Sequence, residues 1–104
     1  MAARIPIPQN QIEKFCHKHR IEALALFGSV LRNDFRPDSD VDVLVEFEPG
    51  TKPRFYESLD MQAELSAILG RKVDLVEKHV VERSENYIRR RNILSQIEPV
   101  YVAR

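Results

Sequence analysis

The sequence predicts a single α/β domain in which helices cover a small β-sheet. Segments with helical apolar spacing alternate with short apolar runs, in the order helix, strand, helix, strand, helix, strand, helix. This alternation is typical of helices packed on a sheet. The length of 104 residues leaves room for one core, since domains commonly contain about 100–150 residues. Alternation alone leaves the strand directions open.

Composition and charge argue against several classes of protein, namely general binders of nucleic acids or membrane surfaces, membrane-spanning proteins and secreted proteins. Sixteen Lys and Arg balance sixteen Asp and Glu, so the net charge gives no support to a general binder of nucleic acids or membrane surfaces. No apolar run approaches the ~20 residues of a membrane span, and residues 1–10 lack the apolar stretch of a signal peptide. The single Cys16 cannot form an internal disulfide, which fits a reducing compartment. We therefore expect a cytoplasmic protein that contacts neither membrane nor nucleic acid.

The first half of the chain contains two predicted strands. Apolar residues recur at helical spacing over 10–19, which predicts the first helix. The mostly apolar run 21–27 predicts the first strand, and 29–33 a brief helix. Residues 34–39 form a predicted turn that carries a proline. The second strand is predicted over 41–47, where valines alternate with polar or larger residues.

The second half begins with the clearest helix, predicted over 55–69. Gly70 follows it, where a C-terminal cap belongs. A third short strand is predicted over 72–76 and a last helix over 82–97, which residues 98–99 (Glu-Pro) would end. Phe47 and Phe55 are assigned to the core. The apolar positions of the two helices are Leu59, Met61, Ala63, Leu65, Ile68 and Leu69 in the first and Ile88, Ile93, Leu94 and Ile97 in the second.

Two aspartates at the start of the second strand are the strongest candidates for chemistry. Side chains two apart in a strand share a face, so Asp40 and Asp42 should point the same way. Their backbones should lie about 6.5–7 Å apart. Two carboxylates on one face repel each other unless a positive charge lies between them. Mg²⁺, a hard cation that prefers oxygen ligands, is the natural candidate.

Gly28 and Ser29 end the first strand ten residues before this acidic pair. Gly28 has no Cβ, so backbone can come close to a ligand. Ser29 adds a hydroxyl and begins a short helix, whose free N–H groups favour a phosphate. Taken alone, Gly-Ser is an ordinary turn, and Asp-Ser-Asp is explained by turn capping. Together the two features predict phosphate at one end and metal at the other, the chemistry of a nucleoside triphosphate.

These residues resemble the signature of a known superfamily. Gly28-Ser29, ten residues and then Asp40-x-Asp42 is similar to the motif of the polymerase-β-type nucleotidyltransferases. This resemblance implies a polymerase-β-like α/β (α+β) fold, a small mixed β-sheet with flanking helices. The chain would then be a single minimal domain over residues 1–104.

Three further features resemble the minimal nucleotidyltransferase (MNT) branch of that superfamily. The chain is short, Arg32 follows the serine by three residues, and residues 37–39 (Pro-Asp-Ser) precede the acidic pair. Members of the branch are typically antitoxins of two-component HEPN/MNT toxin–antitoxin modules. Asn33 is a departure, because the family often has Gly there, although Asn also tolerates a left-handed backbone.

The family places a third acid on a neighbouring strand, and Asp74 is the candidate in this sequence. Burying a lone charge is costly, so Asp74 should not point into the core unpaired. Solvent exposure, or pairing with Lys72 or Arg71, is the simpler alternative. The resemblance implies that Asp74 binds the catalytic metal and helps to deprotonate the attacking hydroxyl.

The resemblance also assigns the ligands. Asp40, Asp42 and Asp74 would hold two Mg²⁺ ions about 3.5–4 Å apart, the arrangement used for in-line phosphoryl displacement. Gly28 and Ser29 would bind the β- and γ-phosphates of ATP, the substrate. Arg32 would reach the phosphates as well, because a guanidinium matches phosphate geometry, although a surface role is the alternative.

The implied activity is a Mg²⁺-dependent transfer of AMP from ATP to a hydroxyl, with tyrosine as the preferred acceptor, of a cognate HEPN RNase toxin. Larger members append a domain that binds the acceptor, and this chain has no residues left for one. We therefore expect a partner protein to supply the acceptor, in a hetero-oligomer with the toxin. Two alternatives remain open: a non-catalytic antitoxin that only binds the toxin, and a nucleotidyltransferase acting on a small-molecule hydroxyl. The basic run 89–91 is either solvated surface or a contact for an acidic partner or RNA.

Overall fold

A mixed β-sheet organises the chain. The computed structural model describes residues 5, 7–31, 40–83, 85–95 and 97–103. In chain order its elements are helix α1 (Gln9–Lys18), strand β1 (Ile21–Phe27), a short 3₁₀ helix (Gly28–Leu31), strand β2 (Val41–Phe47), helix α2 (Phe55–Leu69), strand β3 (Val73–Glu77), helix α3 (Lys78–Glu82), helix α4 (Tyr87–Ser95) and strand β4 (Ile97–Val102).

Within the described residues, four strands form the sheet in the order β3-β2-β1-β4. Strands β2 and β3 are parallel, while β1 is antiparallel to both of its neighbours, β2 and β4. Helix α2 supplies the crossover that two consecutive parallel strands require. The expected fold class, a small mixed sheet with flanking helices, is confirmed.

Helices α1 and α2 cover one face of the sheet and form the larger core with it. Strand residues alternate between the two faces, and those that face these helices are apolar. Burial raises the pKa of the Cys16 thiol to about 12, so this thiol stays protonated at neutral pH and serves as core packing. The buried residues of this core are Ile5, Ile12, Phe15, Cys16, Ile21, Leu24, Leu26, Val30, Val41, Val43, Val45, Met61, Leu65 and Val73.

Helices α3 and α4 cover part of the opposite face with a smaller core. Ala25, Phe27 and Leu44 of the sheet are buried there against Val81 of α3. Residues of α4 and of the edge strands complete the cluster with partly buried side chains. They are Val76, Ile93, Leu94 and Ile97. None of the helices in the described part of the chain has the length and apolar character to cross a membrane.

Three elements have the predicted bounds, namely β1, β2 and α2, and two are displaced by one residue, namely α1 and β3. The helix predicted over 82–97 is confirmed in its middle part only, as α4 (Tyr87–Ser95). Glu82 ends the separate helix α3, and Ile97 begins a fourth strand. Pro99 did not end a helix. It lies in β4, an edge strand, where a residue without a backbone N–H is tolerated.

Phe55, predicted to lie in the core, and two members of the predicted apolar helix positions are exposed instead. Phe55 is 79% exposed, Leu59 48% and Ile88 69%. Helix α2 buries Met61 and Leu65 in its middle turns, so its first turns present apolar side chains to solvent. Helical periodicity identifies an apolar stripe, but it does not reveal how much of the stripe the sheet covers.

A charged cluster joins the two helices of the larger core. Lys18 Nζ and His19 Nε2 each lie 3.0 Å from Oε1 of Glu64 on α2. The His19 ring also packs on Phe15, with the ring centroids 4.8 Å apart. The end of α1 is therefore tied to the middle of α2 by a carboxylate that contacts two basic side chains.

Replacing Glu64 with Gln is expected to remove a pH-dependent part of the stability. Burial acts to raise the pKa of Glu64, but the hydrogen bonds and positive charges of His19 and Lys18 outweigh it and hold this pKa below its ordinary value of 4.5. A carboxyl with a lowered pKa in the folded state contributes stability above its unfolded pKa, and loses it as the pH falls through the folded pKa.

Urea unfolding at pH 7 and at pH 3 would measure this effect. The wild type should exceed Glu64→Gln in free energy of unfolding at pH 7, and the difference should shrink at pH 3. Asp60→Asn, which removes an exposed carboxylate from the same helix, is the matched control and should show a smaller change with pH. A Glu64→Gln difference that is the same at both pH values would contradict the prediction.

Candidate active site

The candidate site lies at the end of the sheet where β1 finishes and β2 and β3 begin. The strand register places Asp42 between Phe27 of β1 and Asp74 of β3. Ile97 of β4 pairs with Phe27 on the other side. One row across the sheet therefore reads Ile97, Phe27, Asp42, Asp74. Neighbouring strands lie about 4.8 Å apart, so the backbones that carry the two carboxylates are adjacent.

Strand alternation determines which face these carboxylates occupy. Val41 and Val43 are fully buried on the face covered by α1 and α2, and Val73 of β3 is buried with them. Asp42 and Asp74 therefore project from the opposite face, as predicted for Asp42 from the valine alternation. Asp42 is half-buried and Asp74 is exposed.

Asp40 extends the acidic pair toward solvent. It is exposed and directly precedes β2, two residues before Asp42. Twice the rise per residue separates the two backbones by about 6.5–7 Å. The three predicted acids thus share one corner of the sheet, with Asp42 and Asp74 side by side and Asp40 farther out.

The donor set fits a magnesium ion that is shared with a substrate. Within the described ranges, no group of three or more His, Cys, Asp or Glu side chains forms a preassembled metal cage. Mg²⁺ does not need such a cage, since it keeps several waters and is commonly bound by one or two carboxylates together with substrate phosphates. The adjacent carboxylates of Asp42 and Asp74 match this requirement, because like charges at this spacing are stabilised by a cation between them.

Gly28 brings the backbone against the acidic pair. Its φ of +79° is in the left-handed region, and it begins the 3₁₀ helix directly after β1. A Cβ at this position would overlap Oδ2 of Asp42 and would lie 3.2 Å from its Cγ. The close approach that the glycine allows is therefore to the carboxylate of Asp42. Its role toward phosphate stays a prediction.

Ser29 and Arg32 are the other two predicted phosphate ligands. Ser29 is the second residue of the 3₁₀ helix, so its backbone lies one residue beyond the Gly28–Asp42 contact. Arg32 and the turn predicted over 34–39 lie outside the described residues. The binding roles of Ser29 and Arg32 therefore also stay predictions.

Sequence reasoning missed the apolar side of the site. Strand β4 brings Ile97 next to Phe27, and both belong to the smaller core that Ile93 and Leu94 of α4 help to cover. An apolar wall thus flanks the carboxylates on one side, while Asp74 borders the outer edge of the sheet. The sequence reads Ile-Glu-Pro-Val-Tyr-Val over 97–102, and its valines and tyrosine, residue types that favour strands, were the available signal.

A lysine also lies at this corner. The N–H of Val41 donates to the carbonyl oxygen of Lys72 at 2.9 Å, so Lys72 continues the pairing of β3 with β2 by one residue. By strand alternation it shares a face with Asp74 and neighbours Asp40. The sequence indicates Lys72 only as an alternative ion-pair partner of Asp74.

Two other polar features are weaker candidates for a catalytic site. A groove of about 560 Å³ lies at the opposite end of β2 and β3, lined by charges of both signs. Lys78 Nζ lies 3.5 Å from Oε1 of Glu46, so these two charges offset each other, and His79 Nε2 lies 3.2 Å from Oε2 of Glu77. In the basic run 89–91, Arg90 donates to the carbonyl oxygen of Glu82 at 3.4 Å, which links α4 to α3.

Comparison with known proteins identifies the family to which this chain belongs. The sequence matches the nucleotidyltransferase domain family over residues 9–99. The protein adenylyltransferase MntA of Thermococcus cleftensis is 40% identical over 58 residues, which cover 56% of this chain and 57% of that protein. The chain spans about three fifths of the length of the first curated relatives that it matches.

Two solved toxin–antitoxin complexes contain the same fold. A toxin–antitoxin crystallised with AMP-PNP aligns with a TM-score of 0.69 at 20% identity, covering 94% of this chain and 76% of that chain. The complex of the tri-AMPylated Shewanella oneidensis HEPN toxin with its MNT antitoxin aligns with a TM-score of 0.61 at 21% identity, covering 91% and 70%. At these identities the likeness establishes the fold alone.

Proposed function

Because this chain belongs to the nucleotidyltransferase domain family, we propose that it is a Mg²⁺-dependent adenylyltransferase whose acceptor is a hydroxyl on a partner protein. The observation that carries the proposal is the in-register pair Asp42 and Asp74, with the backbone of Gly28 packed against it. The adenylyltransferase name of the MntA relative supports AMP as the transferred group.

In this proposal Asp42 and Asp74 hold Mg²⁺ together with the triphosphate of ATP, and Asp40 contributes from the solvent side. The bound metal supplies Lewis-acid stabilisation of the phosphate charge and lowers the pKa of the acceptor hydroxyl. Gly28 and Ser29 approach the phosphates through their backbone at the start of the 3₁₀ helix, with Arg32 as an additional phosphate ligand.

The exposed position of Asp74 suits it for the acceptor side of the reaction. Asp74 lies on an edge strand and is open to solvent, whereas Asp42 lies between Phe27 and Asp74. Asp74 accepts the proton of the acceptor hydroxyl, whose oxygen then bonds to the α-phosphorus of ATP. The bond between that phosphorus and the oxygen bridging to the β-phosphate breaks, and pyrophosphate leaves.

We propose a HEPN toxin as the partner protein and a tyrosine as the acceptor. The solved complex with a tri-AMPylated HEPN toxin supports this partner, because its antitoxin chain has the same fold. In the described part of the chain, Asp74 is exposed to solvent on the side of the site where an acceptor can approach. An acceptor side chain from a bound partner would approach from that direction, and the two proteins would form a hetero-oligomer.

Label transfer to the protein encoded by the adjoining reading frame tests this function. With Mg²⁺, ATP labelled at the α-phosphate should label that partner, while ATP labelled at the γ-phosphate should not, because pyrophosphate leaves. Omitting Mg²⁺ or adding EDTA should abolish the label.

Two results would overturn the proposal in favour of its alternatives. A tight complex that shows no label under any condition would favour an antitoxin that acts only by binding. Consumption of ATP that labels a small hydroxyl compound in the absence of the partner would favour a small-molecule nucleotidyltransferase.

A further inference from the structure

Helix α2 bonds the outer edge of the strand that carries Asp74. The N–H of Val73 donates to Oγ of Ser66 at 3.0 Å, and the N–H of Leu75 donates to Oε1 of Gln62 at 3.0 Å. These two donors flank Asp74 in the sequence and point away from β2. They are the backbone groups that an edge strand ordinarily leaves open to solvent or to another strand.

The two side chains that accept these bonds are themselves held. Ser66 Oγ donates to the carbonyl oxygen of Gln62, one helical turn earlier, at 2.7 Å. The carbonyl oxygen of Ser66 accepts from the N–H of Arg71 at 3.2 Å, where α2 leads into β3. Gln62 and Ser66 therefore form a connected unit with the helix end, and both are partly buried.

Gln62 and Ser66 are distinct from the residues that pack α2 against the sheet. Met61 and Leu65, the residues directly before Gln62 and Ser66, are the fully buried side chains of the helix. Burial of Met61 and Leu65 therefore holds α2 on the sheet, whereas Gln62 and Ser66 form hydrogen bonds to β3. These bonds are on the free side of β3, while the inner side of β3 pairs with β2.

We propose that Gln62 and Ser66 are positioning residues for the metal-binding carboxylates. By bonding the N–H groups on either side of Asp74, they hold β3 at a fixed separation from β2 and so hold Asp74 beside Asp42. The inference rests on the proposed metal-binding role of these two aspartates. Mg²⁺ requires near-ideal octahedral geometry, so a strand that frays at this edge would weaken metal binding. A displacement of about 1 Å is enough to cost about 100-fold in rate.

Substitutions that keep the size of the side chain but remove the acceptor test this inference. Gln62→Leu and Ser66→Ala remove the oxygens that accept from β3, whereas Gln62→Glu and Ser66→Thr keep one. Ser58→Ala is the matched control, because Ser58 is on the same helix eight residues before Ser66 and so lies near the same helix face. Amide hydrogen exchange of Val73 and Leu75 reports on the bonds themselves. Mn²⁺ binding, followed by electron paramagnetic resonance, reports on the carboxylates without partner or turnover.

In Gln62→Leu and Ser66→Ala, the amides of Val73 and Leu75 should exchange faster, and Mn²⁺ affinity should fall by about 10-fold, the lower end of the effect of removing a residue that orients a metal ligand. The Mg²⁺ concentration that gives half-maximal transfer should rise in parallel. Gln62→Glu and Ser66→Thr should restore Mn²⁺ affinity, and Ser58→Ala should leave it unchanged.

Three outcomes would overturn the inference. Faster exchange with unchanged Mn²⁺ affinity would mean that the unit protects the sheet edge without positioning Asp74. Unchanged exchange would mean that the bonds do not hold the strand. A Gln62→Glu or Ser66→Thr variant as impaired as the acceptor-free variants would assign the effect to general packing. A wild type that binds Mn²⁺ but transfers nothing would refute only the proposed activity, and one that binds no Mn²⁺ would refute both.

Discussion

Replacing Asp42 with Asn is expected to abolish adenylyl transfer while leaving the domain folded. Asp42 is the central carboxylate of the site, paired with Asp74 across β2 and β3 and in contact distance of Gly28. Asn keeps the size of the side chain and removes the charge that binds the metal. A lost metal contribution of several kcal/mol corresponds to a fall of at least about 100-fold in rate, at about 1.4 kcal/mol for each factor of ten. Single-turnover transfer to the partner protein measures this rate.

Thermal unfolding separates a loss of metal binding from a loss of folding in Asp42→Asn. Addition of Mg²⁺ with a non-hydrolysable ATP analogue should raise the midpoint of the wild type and not that of the variant. Asp60→Asn removes an equivalent charge from the exposed side of α2 and should retain transfer. Full activity in Asp42→Asn would show that the catalytic site is elsewhere.

Replacing Gly28 with Ala is expected to cost both stability and activity, for two separable reasons. The φ of +79° is unfavourable for any residue with a Cβ, and the penalty is about 1–2 kcal/mol. The added methyl group would also overlap Oδ2 of Asp42 and force that carboxylate to move. Displacing a metal ligand by about 1 Å should lower the rate by about 100-fold. Urea unfolding and single-turnover transfer measure the two effects.

Gly50 provides a matched control for the backbone effect. Its φ is +85°, close to that of Gly28, but a Cβ there would meet no atom within 4 Å. Gly50→Ala should therefore lose a similar backbone contribution to stability and keep its transfer rate. Equal losses of activity in the two variants would show that the contact between Gly28 and Asp42 has no catalytic consequence.

Local pattern was enough to identify most of the elements. The apolar run of β1, the alternating valines of β2 and the periodicity of α2, with Gly70 after its end, each predict their element from neighbouring residues only. The same alternation predicted that Asp42 points away from the valines, because strand alternation depends only on the backbone of that strand. These predictions agree with the structure since nothing distant in the sequence enters them.

The last part of the chain shows where this reasoning fails. The sequence predicts a helix up to residue 97 that Glu98 and Pro99 end, and it predicts no strand over residues 97–102. They become β4 because β1 offers an unpaired edge, and Pro99 is acceptable on an outer strand. The exposure of Phe55 has the same origin: the sheet, and not the helix, determines how much of α2 is covered.

The sequence by itself determined the fold class, the bounds of the central elements and the identity of the candidate residues, because periodicity and motif spacing are properties of neighbouring residues. The tertiary structure alone decided which of those residues meet. Parallel pairing of β2 with β3 placed Asp74 beside Asp42, the end of β1 brought Gly28 against the same carboxylate, and Gln62 and Ser66 reached the far edge of β3. Such contacts depend on strand order and register, which are set by how the whole chain buries its two apolar faces.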